Sequence, residues 1–296
     1  MDPITRNLSE IARWVSAAPK PSAFAAETDF MQFLTEAMGR ALYLLRTGVA
    51  LVPNDEISTN GYIKRRAVVV GHMVRLTKLF DGLYLHIANR QLELAGVMLS
   101  LIFETEIRLN YLITKASPKS YRSYILASYR AERENLMDLD AKAKTRRLVP
   151  IEIRMRTSIL KHLRRDGISR KQLLRNRIWD IDGKNVRELM RDLGRHEFYS
   201  YSFGSSSRWI HGSWQELYHY HLQKVGSRFV PRLEFGDPDT RSAAPPTIIC
   251  LDTLLAYLNW SRGDPGGSVR RLIAEFRDML IRLDQEHEHR MSTNTI

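Results

Sequence analysis

The sequence predicts an all-α fold: a multi-helix bundle folded as one large domain over residues 1–296, with a basic helical subdomain. Three observations carry this expectation. Apolar residues recur at spacings of three and four along most of the chain, the period of amphipathic helices. Alternation of the kind a strand needs is confined to 229–235. Gly and Pro together number 16 + 11 = 27 of 296 residues, and 44% of the chain is apolar, an ordinary globular composition with material for a sizeable core. No repeat of roughly 20–50 residues and no low-complexity tract interrupts it.

Taken in order, Asp29 can cap a helix through about Thr47, with Phe30, Phe33, Leu34, Ala37, Ala41 and Leu44 on one face. Pro53 and the DEISTNG stretch end that run. From about Tyr62 to Asn89, Val69, Met73, Leu76, Phe80, Leu83 and Ile87 step by three and four, an amphipathic helix. Residues 91–114 are apolar almost all round, which predicts a helix touched on several sides in the middle of the fold. Ser117-Pro118 restarts the chain into a helix through roughly Lys144. Shorter helices follow near 150–165, 169–178 and 184–194, separated by Asp-Gly and Asp-Ile-Asp-Gly turn signals, and another covers 206–223. Phe229–Phe235 is a short strand or extended arm, and GDPDTRSAAPP is the loop after it. Two closing helices, about 247–261 and 267–288, flank the Gly-Asp-Pro-Gly-Gly loop, and the polar tail after His287 frays. The expected core spans about 29–225 plus the helices over 247–288.

Several function classes drop out. A single cysteine, Cys250, excludes a disulfide framework and a Cys-based zinc cluster and agrees with a reducing compartment. It lies in an apolar run and reads as buried rather than nucleophilic. The longest apolar stretch, Leu94–Phe103, falls far short of the ~20 residues of a membrane span. MDPITRNLSE lacks the basic and apolar regions of a secretory signal, so the expected location is the cytoplasm, with no membrane partner. Gly263-Asp-Pro-Gly-Gly-Ser268 lacks the Lys-Ser/Thr ending of a phosphate-binding loop, and there is no nucleophile elbow or dinucleotide fingerprint. His219 and His221 diverge on a helix, and His287 and His289 lie on the fraying end, so neither pair predicts a metal. No cofactor is expected.

Charge is more informative. The chain carries 45 − 33 = +12, and residues 115–195 alone hold 22 basic and 10 acidic residues, which is also +12. The remaining 23 of each sign cancel. Clustered cations of this kind either keep a face solvated or bind a polyanion, most readily nucleic acid, by releasing counterions from phosphate. Arg122, Arg130, Arg133, Arg146, Arg147, Arg164 and Arg165 are the candidate contacts. Tyr121, Tyr124 and Tyr129 could stack bases among them, or pack at the edge of the core.

The chemistry-bearing stretch is YSYSFGSSSRWIHGS, Tyr199–Ser213. Gly204 and three serines ahead of an apolar-periodic run resemble a helix start, where orphan amides and hydroxyls form an anion site. Arg208 and His211 are three apart and Ser207 and His211 four apart, so all three project on one face. An imidazole beside a guanidinium at a phosphate can cleave RNA without metal: the base activates a ribose 2′-hydroxyl and the cation stabilises the phosphoryl oxygens. A helix cap, a surface cation and a core histidine would give the same spacing. Glu104 and Arg108, four apart on the most apolar helix, form either a register-fixing ion pair or a polar support that orients Arg108 or His211.

LSLIFETEIRLNYLI (Leu99–Ile113), SYRSYILASYRAEREN (Ser120–Asn135) and FGSSSRWIHGSW together resemble a bacterial helical family with no assigned function, over about 60–225. The late Ser-x-x-x-His-Gly-Ser element in turn resembles HEPN domains, small helical domains of many toxins and antiviral nucleases. The resemblance implies that His211 and Arg208 match the HEPN histidine and arginine, and that the protein is a homodimer sharing one site. The Arg–His separation is shorter than the usual one, and Trp209 follows Arg208. The expected function is thus a HEPN-like, RNA-directed protein. It would act as a metal-independent endoribonuclease of a toxin or phage-defence system, or as a non-catalytic nucleic-acid-binding or partner-binding regulatory module.

Overall fold

A computed structural model describes residues 2–51, 62–177, 180–199 and 208–293. Among the described residues the fold is all-α apart from one small hairpin, as the periodicity requires. The main layer packs α2 (Glu27–Ala50), α3 (Lys64–Ala88), α4 (Leu92–Thr114), α12 (Thr240–Ser261) and α13 (Ser268–Ser292) against one another. Their facing stripes supply Phe30, Leu34, Leu44, Met73, Leu76, Phe80, Ile102, Tyr257 and Phe276, all fully buried. The all-round apolar α4 lies where expected, touching α3, α12, α9 (Val186–Asp192) and α10 (Arg208–His211). Among the described residues no helix is long and apolar enough to cross a membrane.

A second, smaller core lies under the basic segment. Tyr129, Leu136, Leu139, Ile159, Leu163 and Leu173 form a cluster of their own, joining α6 (Arg130–Thr145), α7 (Pro150–Arg165) and α8 (Arg170–Arg175). It attaches to the main body through α5 (Pro118–Ser128).

Several elements differ from the sequence expectation, each for a local reason. An unanticipated first helix, α1 (Pro3–Ser16), sets Trp14 against Phe33 at 4.7 Å and Phe276 at 5.6 Å. Asp29 sits in the first turn of α2 and accepts from the Ala25 and Ala26 amides at 2.8 and 3.0 Å, so the helix begins before it. The helix expected over 117–144 breaks at Tyr129, which turns inward to the second core. The one expected over 206–223 is replaced: α10 stops at Gly212 (φ +57°), a conformation glycine adopts without strain. A short turn, α11 (Trp214–Glu216), and a π turn over Leu217–His221 lead into β1 (Leu222–Val225). It pairs antiparallel with β2 (Arg228–Pro231), in register Leu222↔Pro231, so the strand expected to Phe235 is shorter and has a partner. The loop expected through Pro246 is already helix from Thr240. The tail expected to fray after His287 is helical to Ser292, held by His287 Nε2 against Glu27 Oε2 at 2.6 Å. The DEISTNG stretch lies outside the described residues.

Candidate functional site

The Arg208–His211 turn is anchored by its aromatic residue. Trp209 turns into the protein and lies flat against α4 at Gly96, where an added Cβ would sit 2.4 Å from the indole. Tyr220 covers it from the π turn, ring centroids 4.4 Å apart. With Trp209 held inward, His211 at the end of the same turn is exposed. Arg208 opens that turn, and Ser207 lies outside the described residues.

Two features of this region were not legible in the sequence. Trp214, Tyr218 and Phe229 form an aromatic trio with centroids 5.7–6.1 Å apart, Trp214 and Phe229 largely exposed. The buried carboxylate of Glu216 meets His221 Nε2 at 2.6 Å. That pair is five residues apart and forms across the π turn, a spacing that helical periodicity does not flag.

Glu104 and Arg108 do pair, at 2.5 Å, but Arg108 also donates to Asp180 Oδ2 through Nε at 3.0 Å and Nη2 at 2.7 Å. Burial works against the guanidinium's charge, and the two carboxylates outweigh it and hold its pKa above the ordinary value. Its work is to fasten α4 to the turn at Ile181–Gly183. Arg108 lies twelve residues beyond Gly96, about 18 Å along α4 from the place where Trp209 docks.

A cationic groove runs between α3, α5 and the turn after α7. One part, a cavity of about 360 Å³, is lined by Lys64, His72, Arg75, Tyr124, Ser128 and Asp166. A neighbouring one of about 410 Å³ adds Arg65, Tyr121, Arg122 and Gln172 and shares Lys64 and Asp166. His72 is buried with no hydrogen-bond partner for either ring nitrogen. Burial, with Arg108 and Arg75 nearby, pushes its pKa down to about 4, so the ring is neutral near pH 7 and offers one donor and one acceptor. Lys64 Nζ bridges to the Asp166 carbonyl at 3.0 Å.

A profile of a family of unknown function, DUF5677, matches residues 66–227, more than half of the chain. The chain belongs to the DUF5677 family. No curated protein and no solved structure matches it. The match takes in α3 to β1, and therefore His72, the Glu104–Arg108–Asp180 cluster, the basic helices and His211. Leu99–Ile113 and Ser120–Asn135, the stretches resembling a helical family of unassigned function, lie inside it. α1, α2, α12 and α13 lie outside it.

Within the DUF5677 segment the candidate cations divide into two groups. Arg133 and Arg146 hold the second core together. Arg133 donates to the Asn176 carbonyl at the end of α8, and Arg146 grips Glu152 with two bonds at 2.8 and 2.6 Å. Arg130 pairs with Glu134 along α6 at 3.1 Å. Arg122, Arg147, Arg164 and Arg165 are exposed, Arg122 on the groove and Arg165 3.6 Å from Asp166. Lys161, Lys171 and Arg175 join them on the outer faces of α7 and α8. Seven of the ten carboxylates in 115–195 meet a cation: Glu134, Asp138, Asp140, Glu152, Asp166, Asp180 and Asp192. Among the described residues no group of His, Cys, Asp and Glu is arranged to hold a metal. Cys250 is buried, which pushes its thiol pKa well up and leaves it inert.

Proposed function

We propose that this protein is a HEPN-like, RNA-directed protein that holds the RNA backbone on the α7–α8 face and in the groove beside α3 and α5. One observation carries the reading: the chain's whole +12 excess lies in a segment in which seven of the ten acids already meet a cation, while Arg122, Arg147, Lys161, Arg164, Lys171 and Arg175 face solvent. Such a face attracts phosphate by counterion release. His72 lines the groove as a neutral ring, so it adds no charge of its own beside the cations. The binding test is fluorescence anisotropy with single-stranded RNA at rising KCl. Binding that weakens steeply with salt supports the reading, and no affinity at about 50 mM salt overturns it.

A second reading, metal-independent cleavage, is favoured by the exposure of His211, three residues before Trp214 of the aromatic trio on which a base could stack. His211 would act as base toward the 2′-hydroxyl or as acid toward the departing 5′-oxygen. The 2′-oxygen bonds to phosphorus as the P–O5′ bond breaks, Arg208 would stabilise the phosphoryl oxygens and Ser207 would position them, leaving 2′,3′-cyclic phosphate and 5′-hydroxyl ends. The HEPN resemblance adds a homodimeric site and a place in toxin or phage defence. A magnesium-free assay on bulk RNA, with His211→Ala beside the wild type, decides it. Cleavage lost in the variant supports catalysis, and retention of RNA without cleavage leaves a binding or regulatory module.

A further inference from the structure

A cavity of about 1100 Å³ opens between α4, α10, the π turn, α12 and α13. Leu99, Phe103, Trp209, Tyr220 and Ile248 give it a largely apolar wall. Its charged lining opposes the sign of the whole molecule: four carboxylates, Glu106, Asp239, Asp252 and Asp284, against Arg195 and Arg241. Both arginines are already engaged. Arg195 pairs with the buried Glu106, and Arg241 grips Glu288 with bonds at 2.7 and 3.0 Å. Asp252 is met by Arg277 at 2.9 Å.

Acceptors, by contrast, are left over. Asp284 Oδ1 is buried without a hydrogen-bond partner, and burial together with the nearby Glu288 pushes that carboxyl's pKa up. Asp239 caps α12, taking the Ser242 amide on Oδ1 at 2.9 Å. Pro245 and Pro246, inside α12, have no N–H, so the Arg241 and Ser242 carbonyls lose their usual i+4 donors, and both of those residues line the cavity. A space with an apolar body and an acceptor-rich, donor-poor end fits a ligand of the complementary shape. We infer that this cavity binds a small amphipathic cation, an aromatic or aliphatic body carrying a protonated amine, with the ammonium meeting Asp284.

The inference does not depend on the RNA reading, and its test contains no nucleic acid. Calorimetry compares tryptamine with 3-ethylindole, which keeps the ring and lacks the charge. Tryptamine should bind saturably and about tenfold more tightly, the difference expected of a charged hydrogen bond. Asp284→Asn should erase that preference, and Ile249→Trp, which puts a bulky ring into the cavity from its wall, should weaken binding of both. Equal affinity of the two compounds for the wild type overturns the inference whatever the variants do. So does the absence of saturable tryptamine binding up to about 5 mM, or binding that both folded variants retain.

Discussion

At Gly96 two opposing effects meet in one side chain. In a helix interior alanine is favoured over glycine by about 1 kcal/mol. Here its methyl would collide with the Trp209 ring, and overpacking of this sort costs about 1–3 kcal/mol unless the neighbour moves. Trp209 sits on a single helical turn beside an open cavity, so the neighbour can move. Gly96→Ala should therefore change global stability by no more than about 1 kcal/mol while displacing the indole. The check is a red shift and stronger acrylamide quenching that disappear in Gly96→Ala/Trp209→Phe. Glu152 gives a pH prediction. Hydrogen bonds from Arg146 and from the Val149 amide lower its pKa from 4.5 to about 2. A folded-state pKa below the unfolded one contributes stability that is fully present above pH 4.5 and is lost as the pH falls toward 2. The gap in urea midpoint between wild type and Glu152→Gln should therefore narrow across that window. A gap that stays constant would mean that the pair does not stabilise the fold through its charge.

At the scale of elements, the small core of α6, α7 and α8 is the part most open to separate disruption. Leu163→Ala should cost about 2–5 kcal/mol, the usual range for a buried leucine. Because Leu163 packs in the second cluster and not the main one, hydrogen exchange should accelerate in α6–α8 while α2 and α12 keep their protection. RNA affinity should fall with it. Uniform loss of protection would show that the two cores unfold as one. The long central helices were legible because their apolar stripes repeat through several turns, and α3 and α4 end within two residues of where the stripes do. What the periodicity hid had other causes. Pro245-Pro246 reads as loop, yet the five residues before it form a helix start capped by Asp239, and the prolines give up only bonds near that end. Tyr129 breaks a continuous stripe because it is drawn into a core that only the folded chain creates. In the candidate site the Glu104–Arg108 pair was readable from its spacing, but Asp180 lies 72 residues from Arg108 and no local pattern connects them. His72 lies on the amphipathic α3 with no local pattern to mark it, and only burial without a partner sets it apart.

For the whole molecule, the question is whether RNA would read the net charge of the chain or the particular face that carries it. A long-range field attracts a polyanion from any surface, but only cations that neutralise phosphates release counterions and set the salt slope. Lys161 and Arg164 share one face of α7, and Lys171 and Arg175 share one face of α8, all four exposed. If each meets a phosphate, reversing all four to Glu should flatten the slope of log K against log salt by about 3, at roughly 0.7 per contact on a single strand. Arg6, Arg13, Arg271 and Arg282 are also exposed but lie on α1 and α13, outside the family match. Reversing those four changes the net charge by the same amount and should weaken binding at low salt, yet leave the slope in place. Equal flattening by both sets would mean that the charge excess acts as a diffuse field and that the α7–α8 face is not a binding surface. Flattening by the first set alone would place the phosphates on it, because counterion release counts contacts rather than total charge.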